Sequence, residues 1–159
     1  MPTRRQFGVP DLIDVATPAA GANWTFTNDR GELILVRAVN FVLVTSAVAA
    51  NRVVGLRVVA DTRVRLRTAA GPSHVASLTI GYCAFCAAGS TVASVAGVSI
   101  PWRDDGVLLR PGDVLASVTA AIDAGDQYSA IALDVMRYSP EYPGPYGPVP
   151  GDYTIQQET

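Results

Sequence analysis

The chain has 159 residues, with 12 arginines and no lysine against 11 aspartates and three glutamates, for a formal net charge of -2. That acidic balance argues against general nucleic-acid binding, which normally shows a basic excess. The length suits one domain of roughly 100 to 200 residues, and a composition 49% apolar and 16% charged excludes global disorder while being greasy for a lone soluble domain.

Residues 1–21 hold Pro2, Pro10 and Pro18 among mixed side chains and show neither the apolar run nor the small-residue cleavage site of a secretory signal. They read as an extended N-terminal arm. Beyond them, clusters of Gly, Pro, Asn and Asp cut the chain into short β-branched runs. These predict strands over 23–27, 32–45, 52–60, 62–68, 73–85, 90–100, 106–109, 113–122 and 129–138. Turns separate them, as at Asn28-Asp29-Arg30-Gly31 and Asp123-Ala124-Gly125-Asp126, where Gly supplies a positive φ and Asp bonds nearby backbone. Strands at this spacing predict an all-β fold, a β-sandwich of jelly-roll-like type.

Residues 33–50 form the one candidate for a membrane span. Arg37 and Asn40 near their centre, and their content of Val, Thr and Phe, make them a long strand instead. Strict alternation gives that strand two apolar faces: Leu33, Leu35, Val39, Phe41 and Leu43 on one, Ile34, Val36, Ala38, Val42 and Val44 on the other. A half-exposed sandwich strand is polar on one side, so either extra chain segments or a neighbouring subunit is expected to cover the second face. Residues 139–159 carry five of the 11 prolines and three of the six tyrosines, a composition for a polyproline-like arm and not for a packed element. The predicted layout is an arm over 1–21, a β-sandwich domain over 22–138 and a Pro/Tyr-rich C-terminal arm over 139–159.

The catalytic repertoire is thin, with one His, no Lys and two Cys. Cys83 and Cys86 make a lone CxxC. Zinc needs four ligands, and residues three apart in a regular strand point to opposite faces, so two free thiols are expected. His74 follows Gly71-Pro72-Ser73 without any nucleophile elbow elsewhere and reads as a turn residue. Asp104, Asp105, Asp123 and Asp126 stand near glycines in predicted turns, where carboxylates bond local backbone; they match no EF-hand spacing, and a glycosidase pair is defined by a distance that spacing does not give. The chain is therefore read as a non-enzyme with no metal or cofactor.

Two groups suit an interface. Arg63, Arg65 and Arg67 alternate along one strand, which places three guanidinium groups on one face, either simply solvated, docking carboxylates of an acidic protein surface or contacting nucleic acid. Tyr142, Tyr146 and Tyr153 lie among prolines and offer large rings at a low ordering cost. Trp102 beside Asp104 and Asp105 supports a reading of another class, a carbohydrate-binding module.

The run Thr45-Ser46-Ala47-Val48-Ala49-Ala50-Asn51-Arg52-Val53-Val54-Gly55-Leu56-Arg57-Val58 resembles a pattern shared by a group of small tailed-bacteriophage virion proteins. Trp24 upstream and Ala124-Gly125-Asp126-Gln127-Tyr128-Ser129 downstream extend the resemblance over residues 22–138. It implies a structural virion protein, a capsid decoration (cement) protein on the capsid surface, made in the host cytoplasm. It further implies a homotrimer that binds the major capsid protein shell and stabilises it, with no nucleic-acid or membrane partner. A minor tail, head-fibre or baseplate protein is the alternative. The CxxC and the C-terminal arm depart from the shared core and inherit no role.

Overall fold

A computed structural model of the chain describes residues 8–69, 73–84, 97–100 and 106–138. Among them are ten strands and no helix: β1 (Val9–Val15), β2 (Thr25–Thr27), β3 (Leu33–Val44), β4 (Val53–Ala60), β5 (Arg63–Ala69), β6 (Thr79–Ala84), β7 (Gly97–Ile100), β8 (Val107–Leu109), β9 (Val114–Ala120) and β10 (Gln127–Tyr138). They make the expected all-β sandwich. One sheet runs β1-β10-β3-β6-β7, with β8 also paired to β3, and the other runs β2-β9-β4-β5. The pairing of β6 with β7 is parallel and the others are antiparallel.

The strand β1 was hidden in the segment read as an arm. Its residues are extended, but they pair along their whole length with β10, from Val9 opposite Arg137 to Val15 opposite Ile131. Ile13 joins the core. Pro10 is tolerated because β1 is an edge strand. Arg137 fastens this edge: its guanidinium forks onto Glu32 at 2.8 and 2.8 Å and reaches Asp11 at 3.2 Å. The same fork holds the Glu32 carboxyl below its usual range. The sheet therefore starts well before residue 22.

The assignment of residues to the two faces of β3 is corrected by a bulge, while the outer face stays largely apolar. Asp134 pairs opposite Ala38 but Val135 opposite Val36, so Arg37 is an extra residue on β3. The insertion shifts the phase of alternation, so that Ile34, Val36, Val39, Phe41 and Leu43 are all buried on the same side. Leu33, Leu35, Ala38, Asn40, Val42 and Val44 take the outer one. Gly106 makes the bulge possible from the neighbouring chain segment. Its φ is +77°, and a Cβ there would overlap the Val36 carbonyl oxygen.

Between the sheets, Phe41 is the hub of an aromatic cluster. Tyr82 stacks on it at 4.9 Å, while Trp24 and Tyr128 meet it edge-on at 5.5 and 5.6 Å. Val54, Leu56 and Val58 of β4 and Leu115 of β9 close the core from the second sheet.

Cys83 is disulfide-bonded, which corrects the free thiol expected there. The alternation argument presumed a regular strand through position 86, yet β6 ends at Ala84. Cys86 lies outside the described residues. Because the chain has two cysteines, its intact mass is expected to rise by about 2 Da on reduction. Labelling of two thiols without reductant would contradict this.

Candidate functional site

Between β3 and β4 the chain runs through small and polar residues whose backbone groups need partners outside any ladder. Arg52, at the end of this loop, supplies them. Its side chain is 0% exposed, as is that of Asp126 in the turn between β9 and β10. Arg52 Nε donates to Asp126 Oδ2 at 2.9 Å and Nη2 donates to Oδ1 at 3.0 Å. Nη2 also donates to Ser46 Oγ at 3.0 Å, and Nη1 donates to the carbonyls of Val48 and Ala50 at 2.8 and 3.2 Å. All five guanidinium donors are used.

Asp126 is equally satisfied. Beyond the fork, Oδ1 accepts the Ser46 N–H and Oδ2 accepts the Asp123 N–H, each at 2.8 Å. Complete pairing of this kind is what lets a buried ion pair offset its own desolvation. Asp123 on the same turn accepts the Ser46 hydroxyl at 2.8 Å and the Gly125 N–H at 3.0 Å.

The backbone joins a third loop to these two. Arg52 and His74 exchange N–H···O bonds of 2.9 and 2.8 Å. Thr45 Oγ1 donates to the Val75 carbonyl at 2.9 Å and accepts the Leu78 N–H at 2.8 Å. His74 is thus a buried bridge residue and not the turn residue expected, with its ring edge-on to Tyr82 at 5.6 Å. Three loops are welded together at one end of the sandwich. Over the weld lies a shallow, open hollow lined by Ala49, Ala50, Asn51, Val75 and Ala76, which offers one side-chain amide and no titratable group.

Burial acts to raise the Asp126 pKa, but the Arg52 fork and the N–H groups of Asp123 and Ser46 outweigh it and hold the carboxyl below its ordinary range. The Gly125 N–H and the Ser46 hydroxyl do the same for Asp123. Burial lowers His74. All three groups therefore bind protons more weakly folded than unfolded, so acid favours the unfolded chain. Stability is expected to hold at neutral pH, to decline as the pH falls below the ordinary histidine value of 6.5, and to fall further below the ordinary aspartate value of 3.8. Urea midpoints across this range measure it, and a midpoint independent of pH would refute it.

The other sequence-chosen residues separate. Arg63, Arg65 and Arg67 lie on β5, the free edge of the second sheet. Register slips there: Val58 pairs opposite Leu66 and Val59 opposite Val64, leaving Arg65 as an extra residue. Arg63 consequently pairs opposite Ala60, and Arg67 opposite Arg57 three positions away on β4. The side chains of Arg65 and Arg67, on which the one-face reading depends, lie outside the described residues. Tyr142, Tyr146, Tyr153, Trp102, Asp104 and Asp105 lie outside the described residues. Among those described, no three His, Cys, Asp or Glu residues group closely enough to hold a metal ion.

Asp123 and Asp126 do bond local backbone, as turn aspartates were expected to. The partnership of Asp126 with Arg52 went unread. The available signal was a single arginine, Arg52, closing the small and polar run 45–51. No protein-family model, curated protein or solved structure matches the chain.

Proposed function

We propose that the protein is a structural component of tailed-bacteriophage virions, a capsid decoration protein that binds the shell of major capsid protein and stabilises it. Its partners in this reading are that shell and further copies of itself. One observation supports it above others: the segments that resemble virion proteins converge on a single device, the Arg52–Asp126 weld, with Trp24 and Tyr128 in the core beside it. Every polar group of that ion pair is engaged within the fold, so the shared pattern serves shape. A shell component acts through a rigid surface repeated over a lattice, where linked contacts raise effective affinity by roughly 10² to 10⁴.

The welded end is the surface we assign to the shell. It carries the exposed apolar side chains Val44, Val48, Val75 and Leu78, and the Arg52 bonds to the Val48 and Ala50 carbonyls fix the loop that presents Val48. Pre-ordering such a loop lowers the entropy lost on contact. The test is co-sedimentation of the purified protein with heads, stripped of this protein alone, of the virus whose genome encodes it. Saturation at a fixed ratio to capsid subunits is expected, and Val48→Glu should weaken it at least about tenfold through an unpaired charge in an apolar contact. Binding to tails in place of heads would move the protein to the tail or baseplate, and binding to neither would overturn the virion reading.

A further inference from the structure

The outer face of the first sheet is apolar where an antiparallel sandwich normally meets water. Pro10 of β1 pairs opposite Met136 of β10, Met136 opposite Leu35 of β3, and Leu35 opposite Leu108 of β8. Four residues from four adjacent strands therefore form one apolar row across the sheet. Leu33 and Tyr138 pair beside it, and Met136 and the Tyr138 ring meet over Gly8, where a Cβ would stand 3.0 and 2.9 Å from them. Leu33 and Leu108 are exposed, as is Leu12 on the other side of the row. There Asp134 pairs with Arg37, the bulged residue of β3, and both side chains are open to solvent. A contiguous patch of this kind marks a surface that something covers.

We propose that this face packs on the same face of a second copy of the chain, about a two-fold axis that runs along the strands between β10 and β3. Four strands lie abreast here, β1 and β10 on one side of that axis, β3 and β8 on the other. The rotation lays β10 of one copy over β3 of the second at the same level along the strands, and β1 over β8. Met136 then meets Leu35 of the second copy, Tyr138 meets its Leu33 and Pro10 meets its Leu108, and each contact occurs twice. Asp134 meets Arg37 of the second copy, so the two ion pairs close into one neutral ring of four alternating charges.

Charge and size both select a second copy as the occupant. A two-fold interface sets a face against itself, so an unbalanced charge pattern would repel its own image. This face meets its image with apolar residues on apolar ones and each charge on its opposite, while Asp14, exposed on the edge strand β1, stays at the rim in water. The strands β3 and β10 have 12 residues each, which makes them roughly 40 Å long, and four strands about 4.8 Å apart are roughly 19 Å wide. The face therefore offers on the order of 750 Å², close to the ~800 Å² that each partner contributes to a stable complex. Two sheets stacked in this way, with their strands within about 30° of each other, repeat the packing inside a sandwich. The inference concerns the free protein and does not rest on the virion reading.

Sedimentation equilibrium of the intact chain at roughly 50 μM should find a dimer, twice the chain mass of 16.7 kDa. Asp134→Arg sets guanidinium against guanidinium across the axis, and Arg37→Asp sets carboxylate against carboxylate, so each should weaken association at least about tenfold. Mixing these two variants should restore the dimer, because one then brings only cations to the ring and the other only anions. An ion pair that served only its own fold would give no such restoration. Leu108→Glu, at an exposed position, should also dissociate the dimer, with its melting curve showing that the fold is retained. A wild-type monomer at this concentration, a trimer, or a dimer unchanged in all three variants overturns the inference. So does a mixture of the two charge variants that stays monomeric.

Discussion

Arg52→Met is expected to destabilise the fold by roughly 3–5 kcal/mol, the cost of leaving one half of a buried ion pair without its partner. The loss has identifiable parts. Asp126 would keep the Ser46 and Asp123 N–H groups but lose both guanidinium bonds, in a site where its side chain is 0% exposed. The carbonyls of Val48 and Ala50 would lose their donor. Asp126→Leu should cost a comparable amount by orphaning the guanidinium. The double variant Arg52→Met, Asp126→Leu removes both charges and should be more stable than either single one, a non-additivity that simple loss of packing would not produce. Chemical denaturation of the four proteins measures it. A loss below about 1 kcal/mol in Arg52→Met would mean that the weld holds nothing together.

The weld also shows which parts of this molecule a sequence reveals. Strands 33–44, 53–60, 114–120 and 127–138 were legible because β-branched runs there are punctuated by Gly, Pro and Asp, and local composition decides whether a run is extended. Phase was not legible. Arg37 on β3 and Arg65 on β5 are extra residues only relative to the neighbouring strand, and a bulge is a property of a pair. The same limit hid Arg52 from Asp126, 74 positions apart, and His74 from its bridge to Arg52. For β1 the obstacle was local, since Pro10 and two aspartates obscure an inward row that contains Ile13. The disulfide at Cys83 was missed by extending strand geometry past the end of β6.

Phe41→Ala is expected to cost about 3–5 kcal/mol, the range for emptying a buried aromatic site. The cost should sit in that range because the surroundings are poorly placed to collapse. Phe41 is held between Tyr82 stacked at 4.9 Å and the edges of Trp24 and Tyr128 at 5.5 and 5.6 Å, and these rings come from separate elements. One of them is tied elsewhere: the Tyr128 hydroxyl bonds that of Thr119. Moving that ring into the vacancy would break the bond, so the cavity should persist and each lost ring contact should add about 0.5–1.5 kcal/mol to the transfer cost. Phe41→Leu keeps most of the volume and should lose less than half as much. Thermal unfolding then gives a fall of roughly 6–20 °C for Ala, at about 2–4 °C per kcal/mol for a domain of this size, and near-ultraviolet circular dichroism should show the cluster's signal weakened in both variants. A loss for Ala no greater than that for Leu would place the centre of the core elsewhere than at Phe41.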